Sequence, residues 1–320
     1  GTELWISDGT DAGTLLADIN AGTGSSSPSL LVAMGNMVYF SANDGVNGSE
    51  LWKTDGTVAG TVMVKDINTG TSGSNPGQLI NINGTLYFAA TSAGIGQELW
   101  KTDGTELGTM LVKDINPGAN NSTPTALWDV TGTLYLLAYN GTQWSLMKSD
   151  GTAAGTVALN STVVNNGTYK SFYGYQNKLF FMYNGYLPGV PITATGNEPW
   201  VSDGTDAGTT LIKDINITTN AGNPSNLIKA GNTVFFNGTD ATNGAELWKT
   251  DGTEAGTVLV KDIYPGTSGS NPQRFAFANN IVFFTAINST NGCFPHGGAP
   301  EVAALGGAIA IVRDETADGA

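Results

Sequence analysis

The sequence predicts an all-β protein, a six-bladed β-propeller of four-stranded antiparallel blades, and three observations predict it. First, the segment Glu50-Leu51-Trp52-Lys53-Thr54-Asp55-Gly56-Thr57 with its continuation to residue 67 recurs almost letter for letter over 98–115 and 246–263. Looser copies begin at Glu3, Ser145 and Glu198. Second, the anchor residues Trp5, Trp52, Trp100, Met147, Trp200 and Trp248 follow one another at steps of 47, 48, 47, 53 and 48 residues, and self-similarity at such a period marks a repeat architecture. Third, 44 glycines stand against only 12% charged residues and 40% apolar ones. That is the composition of a turn-rich chain with a sizeable core.

One full repeat reads from residue 76 to 115. Gln78 to Ile82 is a short apolar run that stops at Asn83-Gly84, a turn dipeptide favoured between antiparallel strands. Thr85-Leu86-Tyr87-Phe88-Ala89-Ala90 is a second strand by its aromatic and apolar content. Glu98 to Thr102 is the third strand, Asp103-Gly104 turns the chain, and Thr109 to Ile115 is the fourth. Four short strands per repeat is the size of one propeller blade, and no stretch before the C-terminal tail shows a sustained helical period.

The two ends of the repeat region are complementary. Residues 3–19 hold the third and fourth strands of a copy, and residues 273–291 hold only the first and second. Pairing these N-terminal and C-terminal half-blades closes the predicted ring, whereas a β-solenoid, the competing repeat fold, has no need of complementary halves. Residues 1–291 are thus expected to form the propeller. Residues 292–320 match no repeat and form a tail or linker, suited to docking or to serving as an arm between subunits. Because the chain opens inside a motif, we read it as a processed product or a fragment of something longer.

The repeat is degraded over residues 128–200. Ser145-Leu146-Met147 replaces Glu-Leu-Trp, Ala158-Leu159-Asn160 replaces Val-Lys-Asp, and a loop over 184–197 lengthens the step. Tyr139, Trp144, Tyr169, Tyr173, Tyr175, Tyr183 and Tyr186 crowd this region. Aromatic rings beside Asn- and Gly-rich loops suit sugar or peptide binding, which makes Trp144, Tyr183 and Tyr186 the ligand-binding candidates. The plainer alternative is that tyrosines have replaced core residues in a drifting copy.

Charge narrows the partners. The chain has 27 Asp and Glu against 13 Lys and Arg, a net charge of −14. Such a surface repels phosphate backbones and anionic lipid, so neither nucleic acid nor direct membrane insertion is expected. The single Cys293 forbids an intramolecular disulfide, and no apolar run approaches the ~18 residues of a membrane span.

The chemistry-bearing residues are mostly repeated ones. Asp-Gly-Thr-x-x-Gly-Thr places Asp8, Asp55, Asp103, Asp150, Asp203 and Asp251 at hairpin turns, where a carboxylate accepts backbone N–H bonds across its own turn. Glu50, Glu98 and Glu246, with Glu3 and Glu198, stand where a loop enters the third strand. A ring of such carboxylates would suit Ca²⁺, a hard cation that prefers oxygen ligands; capping of each residue's own loop is the plainer reading. Sequons at Asn47, Asn83, Asn140 and Asn237 lie in or near turns and are the glycosylation candidates of an exported chain. No catalytic residue is assigned. The one histidine, His296, sits in the tail, and no nucleophile elbow or phosphate-cradling loop occurs. No organic cofactor is expected.

With its continuation to Val-Lys-Asp-Ile, the Glu-Leu-Trp-Lys-Thr-Asp-Gly-Thr-x-x-Gly-Thr motif resembles the ELWxxDGTxxGT repeat of large secreted or cell-surface proteins of bacteria and archaea. The resemblance covers residues 1 to about 291 and brings no active site with it. It implies export and an extracellular or cell-surface setting, often within a longer adhesin-like protein. The expected function is therefore a non-enzymatic structural or adhesion propeller whose partners are other copies of itself, other surface or matrix proteins, or glycans. A carbohydrate-binding propeller is the second reading, and a secreted hydrolase or lyase using acidic residues is the third.

Overall fold

A computed structural model describes residues 1–159, 169–184, 196–217, 221–287 and 308–313. Every regular element among them is a strand, and each strand pairs antiparallel to its neighbour. By internal contacts the chain divides into two units, residues 1–159 and 160–320.

The first unit opens with a two-stranded sheet, β1 (Leu4–Ile6) and β2 (Leu15–Ala17). Three four-stranded sheets follow in simple meanders. These are β3 (Ser29–Met34), β4 (Met37–Asn43), β5 (Ser49–Thr54) and β6 (Val62–Lys65); β7 (Gly77–Ile82), β8 (Thr85–Ser92), β9 (Gly96–Thr102) and β10 (Met110–Lys113); and β11 (Thr125–Val130), β12 (Thr133–Tyr139), β13 (Trp144–Ser149) and β14 (Val157–Ala158). The second unit repeats the plan. β15 (Tyr169–Tyr175), β16 (Lys178–Asn184), β17 (Asn197–Ser202) and β18 (Thr210–Leu211) form one sheet, and β19 (Ser225–Ala230), β20 (Thr233–Asp240), β21 (Gly244–Thr250) and β22 (Val258–Lys261) form the next. A three-stranded sheet of β23 (Gln273–Ala278), β24 (Ile281–Ala286) and β25 (Ala308–Arg313) ends it.

The core of each unit lies between consecutive sheets, because alternate residues of a strand face opposite sides and both faces here are apolar. Met34, Leu51 and Val64 of one sheet pack with Leu86, Phe88 and Trp100 of the next. Ala230, Phe235 and Leu247 pack likewise with Val282 and Phe284. First strands touch first strands along each unit: β3 meets β7 and β7 meets β11, while β15 meets β19 and β19 meets β23. Successive four-stranded sheets packed face to face, with their first strands side by side, are a propeller-like arrangement.

Register is locked by a feature that the motif did not reveal. The first strand of five sheets carries a bulge at its second residue, where Leu30, Gln78, Ala126, Asn226 and Arg274 have φ between 50° and 59°. Left-handed backbone at non-glycine residues is strained, and a bulge re-aims the strand and sharpens its twist.

Among the described strands β1 pairs with β2 alone. The second edge of β24 is taken by β25, from the tail. The run Ala308-Ile309-Ala310-Ile311-Val312 is rich in β-branched residues and answers that unpaired edge chemically.

Candidate functional site

The repeated motif builds three polar devices, all from the same few residues. The first is the hairpin. Thr57 donates to Asp55 Oδ1 through its backbone N–H at 2.9 Å and its hydroxyl at 2.7 Å, and Gly60 N–H donates to Thr57 Oγ1 at 2.9 Å. The same bonds recur at Asp8, Asp103, Asp150, Asp203 and Asp251. Donation by the threonine hydroxyl, and then by its N–H, holds all six carboxyls below the usual aspartate range.

The second device is the glutamate that precedes Leu-Trp or, at Glu198, Pro-Trp. Glu50, Glu98, Glu198 and Glu246 are fully buried. Glu50 accepts from the N–H groups of Ile67, Asn68 and Ser74 and, at 2.5 Å, from the Ser74 hydroxyl. Glu246 does the same with Ile263, Tyr264 and Ser270, and Glu98 accepts from the Ile115 and Ser122 N–H groups. Each carboxylate thus satisfies the donors of the loop that leads into the next sheet, and no two of them share a partner. The three residues expected to hold calcium sit in separate cages with their oxygens already engaged, and no cluster of three metal-ligating side chains occurs among the described residues.

Glu198 is the exception. Gly222 stands where Ser26, Ser74, Ser122 and Ser270 stand in other copies, and among the described residues Glu198 accepts from the Ile215 and Gly222 N–H groups without a hydroxyl from that position. Burial pushes its carboxyl up to about 8, with the nearby Asp214 charge adding to the rise. Burial also raises Glu50 and Glu98, against the lowering effect of their hydrogen bonds.

The third device is the lysine latch. Lys53 Nζ donates to the Gly104 carbonyl at 2.7 Å and Lys101 Nζ to the Gly151 carbonyl at 2.8 Å. Lys65, Lys113 and Lys213 reach the carbonyls of Thr109, Thr156 and Thr257. Every one of these bonds joins one sheet to the Asp-Gly-Thr hairpin of the next.

The candidates for ligand binding differ in their surroundings. Trp144 lies at the start of β13 with 41% of its surface exposed, its ring 6.2 Å from that of Tyr139 and tilted by 58°. Asn140 folds the turn between them, accepting from Thr142 and Gln143. Tyr183 is fully buried and meets Trp200 edge-on at 5.5 Å, so it is part of the core of the second unit. Tyr186 lies outside the described residues. Of the glycosylation candidates, Asn83 is exposed in the β7–β8 turn, whereas Asn237 is half-buried within β20. Asn47 and Asn140 have their amide groups bonded to Asp44 and Ser145.

No protein-family model matches the chain, and no curated protein matches it. Solved structures do. A prolyl oligopeptidase B from Galerina marginata, bound to a 35mer hydrolysis and macrocyclization substrate, is 12% identical with a TM-score of 0.50. The match covers 82% of this chain and 40% of that one, so the chain spans well under half of that enzyme's length. The computationally designed Ika8 protein is 14% identical with a TM-score of 0.43, over 81% of this chain and 68% of its own. At such identities the likeness concerns the fold alone: all-β, propeller-like, with repeated four-stranded sheets.

Proposed function

We propose that this chain is a non-enzymatic structural module of a cell surface or extracellular matrix, working by repeated contact with other copies of itself or with other surface proteins. The observation that carries this reading is where the motif's chemistry goes. The Asp-Gly-Thr aspartates, the loop-capping glutamates and five of the repeated lysines are engaged in turns, loop cages and inter-sheet latches, an arrangement that stiffens a scaffold. We also infer that the repeats are six blades of one propeller. Closure of that propeller by β1 would require β25 to leave the edge of β24. The test is the mass distribution of the purified chain over a wide concentration range, alongside imaging of material from its native source. Ordered multimers support the reading; monomers at every concentration, together with native material in which the chain contacts no other surface protein, overturn it.

A second reading, glycan binding, is favoured by the exposed Trp144 beside Tyr139, since an aromatic face stacks on the apolar face of a sugar. A glycan array with and without Ca²⁺ tests it. Hits that vanish in W144A, with unfolding temperature unchanged, support it. A blank array sinks it.

A further inference from the structure

The edge of β24 carries a strand that does not belong to the repeat. In the complete sheets the third strand places a tryptophan or methionine opposite an apolar residue of the second: Phe40 faces Trp52, Phe88 faces Trp100, Leu136 faces Met147 and Phe236 faces Trp248. β25 occupies the same position in the same register, with Phe284 facing Ala310 and Val282 facing Val312. It has none of the Glu-Leu-Trp-Lys-Thr signature. It therefore supplies neither the loop-capping glutamate nor the lysine latch, and its contribution is the backbone ladder and a row of small or β-branched residues.

Its attachment also differs. Most third strands follow their second strands after tight connections, residues 93–95 between β8 and β9 and 241–243 between β20 and β21, and the longest of the others is 185–196 between β16 and β17. Between β24 and β25 lie residues 287–307. A strand tied by a tight turn is committed to its neighbour, whereas a connection of this length in sequence has the reach to let the strand meet the edge of another copy. Identical copies present identical edges, so every backbone pair β25 makes on its own β24 can be made on the β24 of another copy. Such an exchange conserves the contacts and leaves concentration and geometry to select the outcome.

We propose that β25 is an exchangeable arm that pairs with the β24 edge of a second copy, linking chains head to tail by strand addition. This deepens the assembly reading above and rests on it. Because β25 is the last strand of its sheet among the described residues, each exchanged arm completes a third-strand position without blocking the next copy's arm. Heterologous contacts of this kind form rings if they close and filaments if they do not.

The test uses the full chain with Cys293→Ser as background and cysteines at the register pair Thr285 and Ile309. Differently tagged T285C and I309C chains are mixed and oxidised, and the double variant is oxidised alone. A disulfide-linked mixed dimer from the two single variants, and a ladder of multimers from the double variant, are the expected results. A double variant that closes only on itself, with no mixed dimer, overturns the exchange and leaves β25 as an intramolecular strand. No disulfide in either experiment overturns the pairing itself. As a second measurement, removing residues 303–320 should abolish multimers of the otherwise unaltered chain, with its circular dichroism kept. Multimers that survive this truncation would sink the arm while sparing the assembly reading. Monomers throughout, before and after truncation, would sink both.

Discussion

Glu198 shows what one missing hydroxyl does inside a repeated cage. Its folded carboxyl titrates at about 8 against an ordinary value of 4.5, so the folded chain holds a proton that the unfolded chain has released. Stability from this group is full below the unfolded value and is lost as pH rises through the folded one. We expect the unfolding temperature to fall between about pH 5 and pH 8.5, and E198Q to flatten that fall; circular dichroism melts at the two pH values check it. Gly222→Ser should flatten it too by supplying the hydroxyl that Ser74 gives Glu50, once the Glu198 carboxylate has moved aside from the new Cβ, which falls 2.5 and 2.9 Å from its oxygens. The Asp-Gly-Thr carboxyls work in the other direction: with folded values lowered, their stabilisation is present above about pH 4 and is lost on acidification.

Two glycines of the same hairpin position separate backbone strain from inter-sheet contact. Gly9 and Gly104 both have φ above 90°, but a Cβ at Gly9 meets nothing, while one at Gly104 lies 2.1 Å from the Tyr39 hydroxyl of the preceding sheet. Gly9→Ala should cost about 1 kcal/mol from the left-handed backbone alone. Gly104→Ala should cost clearly more, as chemical denaturation of the pair will show. A difference near zero would mean that the hairpins do not press on their neighbours.

At the scale of elements, the account is that sheets are joined through polar latches as well as through the apolar core between them. Lys101→Met keeps the side chain's bulk, removes the bond to the Gly151 carbonyl and should cost about 1–2 kcal/mol, the worth of a hydrogen bond from a charged donor. Glu98→Ala should cost more, roughly 3 kcal/mol, because it strands buried N–H donors of Ile115 and Ser122. Equilibrium unfolding measures both. Much of this level was legible in advance. Asn83-Gly84 and Asp103-Gly104 marked their turns, and the strand boundaries of residues 76–115 follow from the apolar and aromatic runs between them. The bulges at Leu30 and Gln78 were not legible, because residues of such different kinds hold the same left-handed backbone and leave no common letter. The strand β25 was readable as β-prone but not as the partner of β24. Edge pairing is backbone chemistry, and sequence does not encode which of two suitable strands takes an edge.

At the scale of the molecule, the six-fold count of repeats and the all-β class were legible because the tryptophan spacing is nearly constant. Sites were far less so. Trp144 and Tyr183 stood together as candidates by sequence proximity to an irregular copy, yet one is exposed and the other fully buried, since a tyrosine in a strand faces solvent or core according to pleat and not composition. The repeated carboxylates suggested a cation site from their number, whereas their neighbours in space are N–H and hydroxyl donors. The contrast between Trp5, 63% exposed, and Trp200, 1% exposed, belongs to the same scale: among the described strands β1 pairs with β2 alone, and β17 has Phe181 opposite Trp200.

The central claim is that this scaffold is built to join copies of itself. Cryo-electron microscopy of assemblies from the native source tests it most directly. We predict a regular array in which each copy contributes a strand to the β24 edge of its neighbour. Solitary molecules with β25 folded back on β24, and no repeating contact between copies, would contradict it.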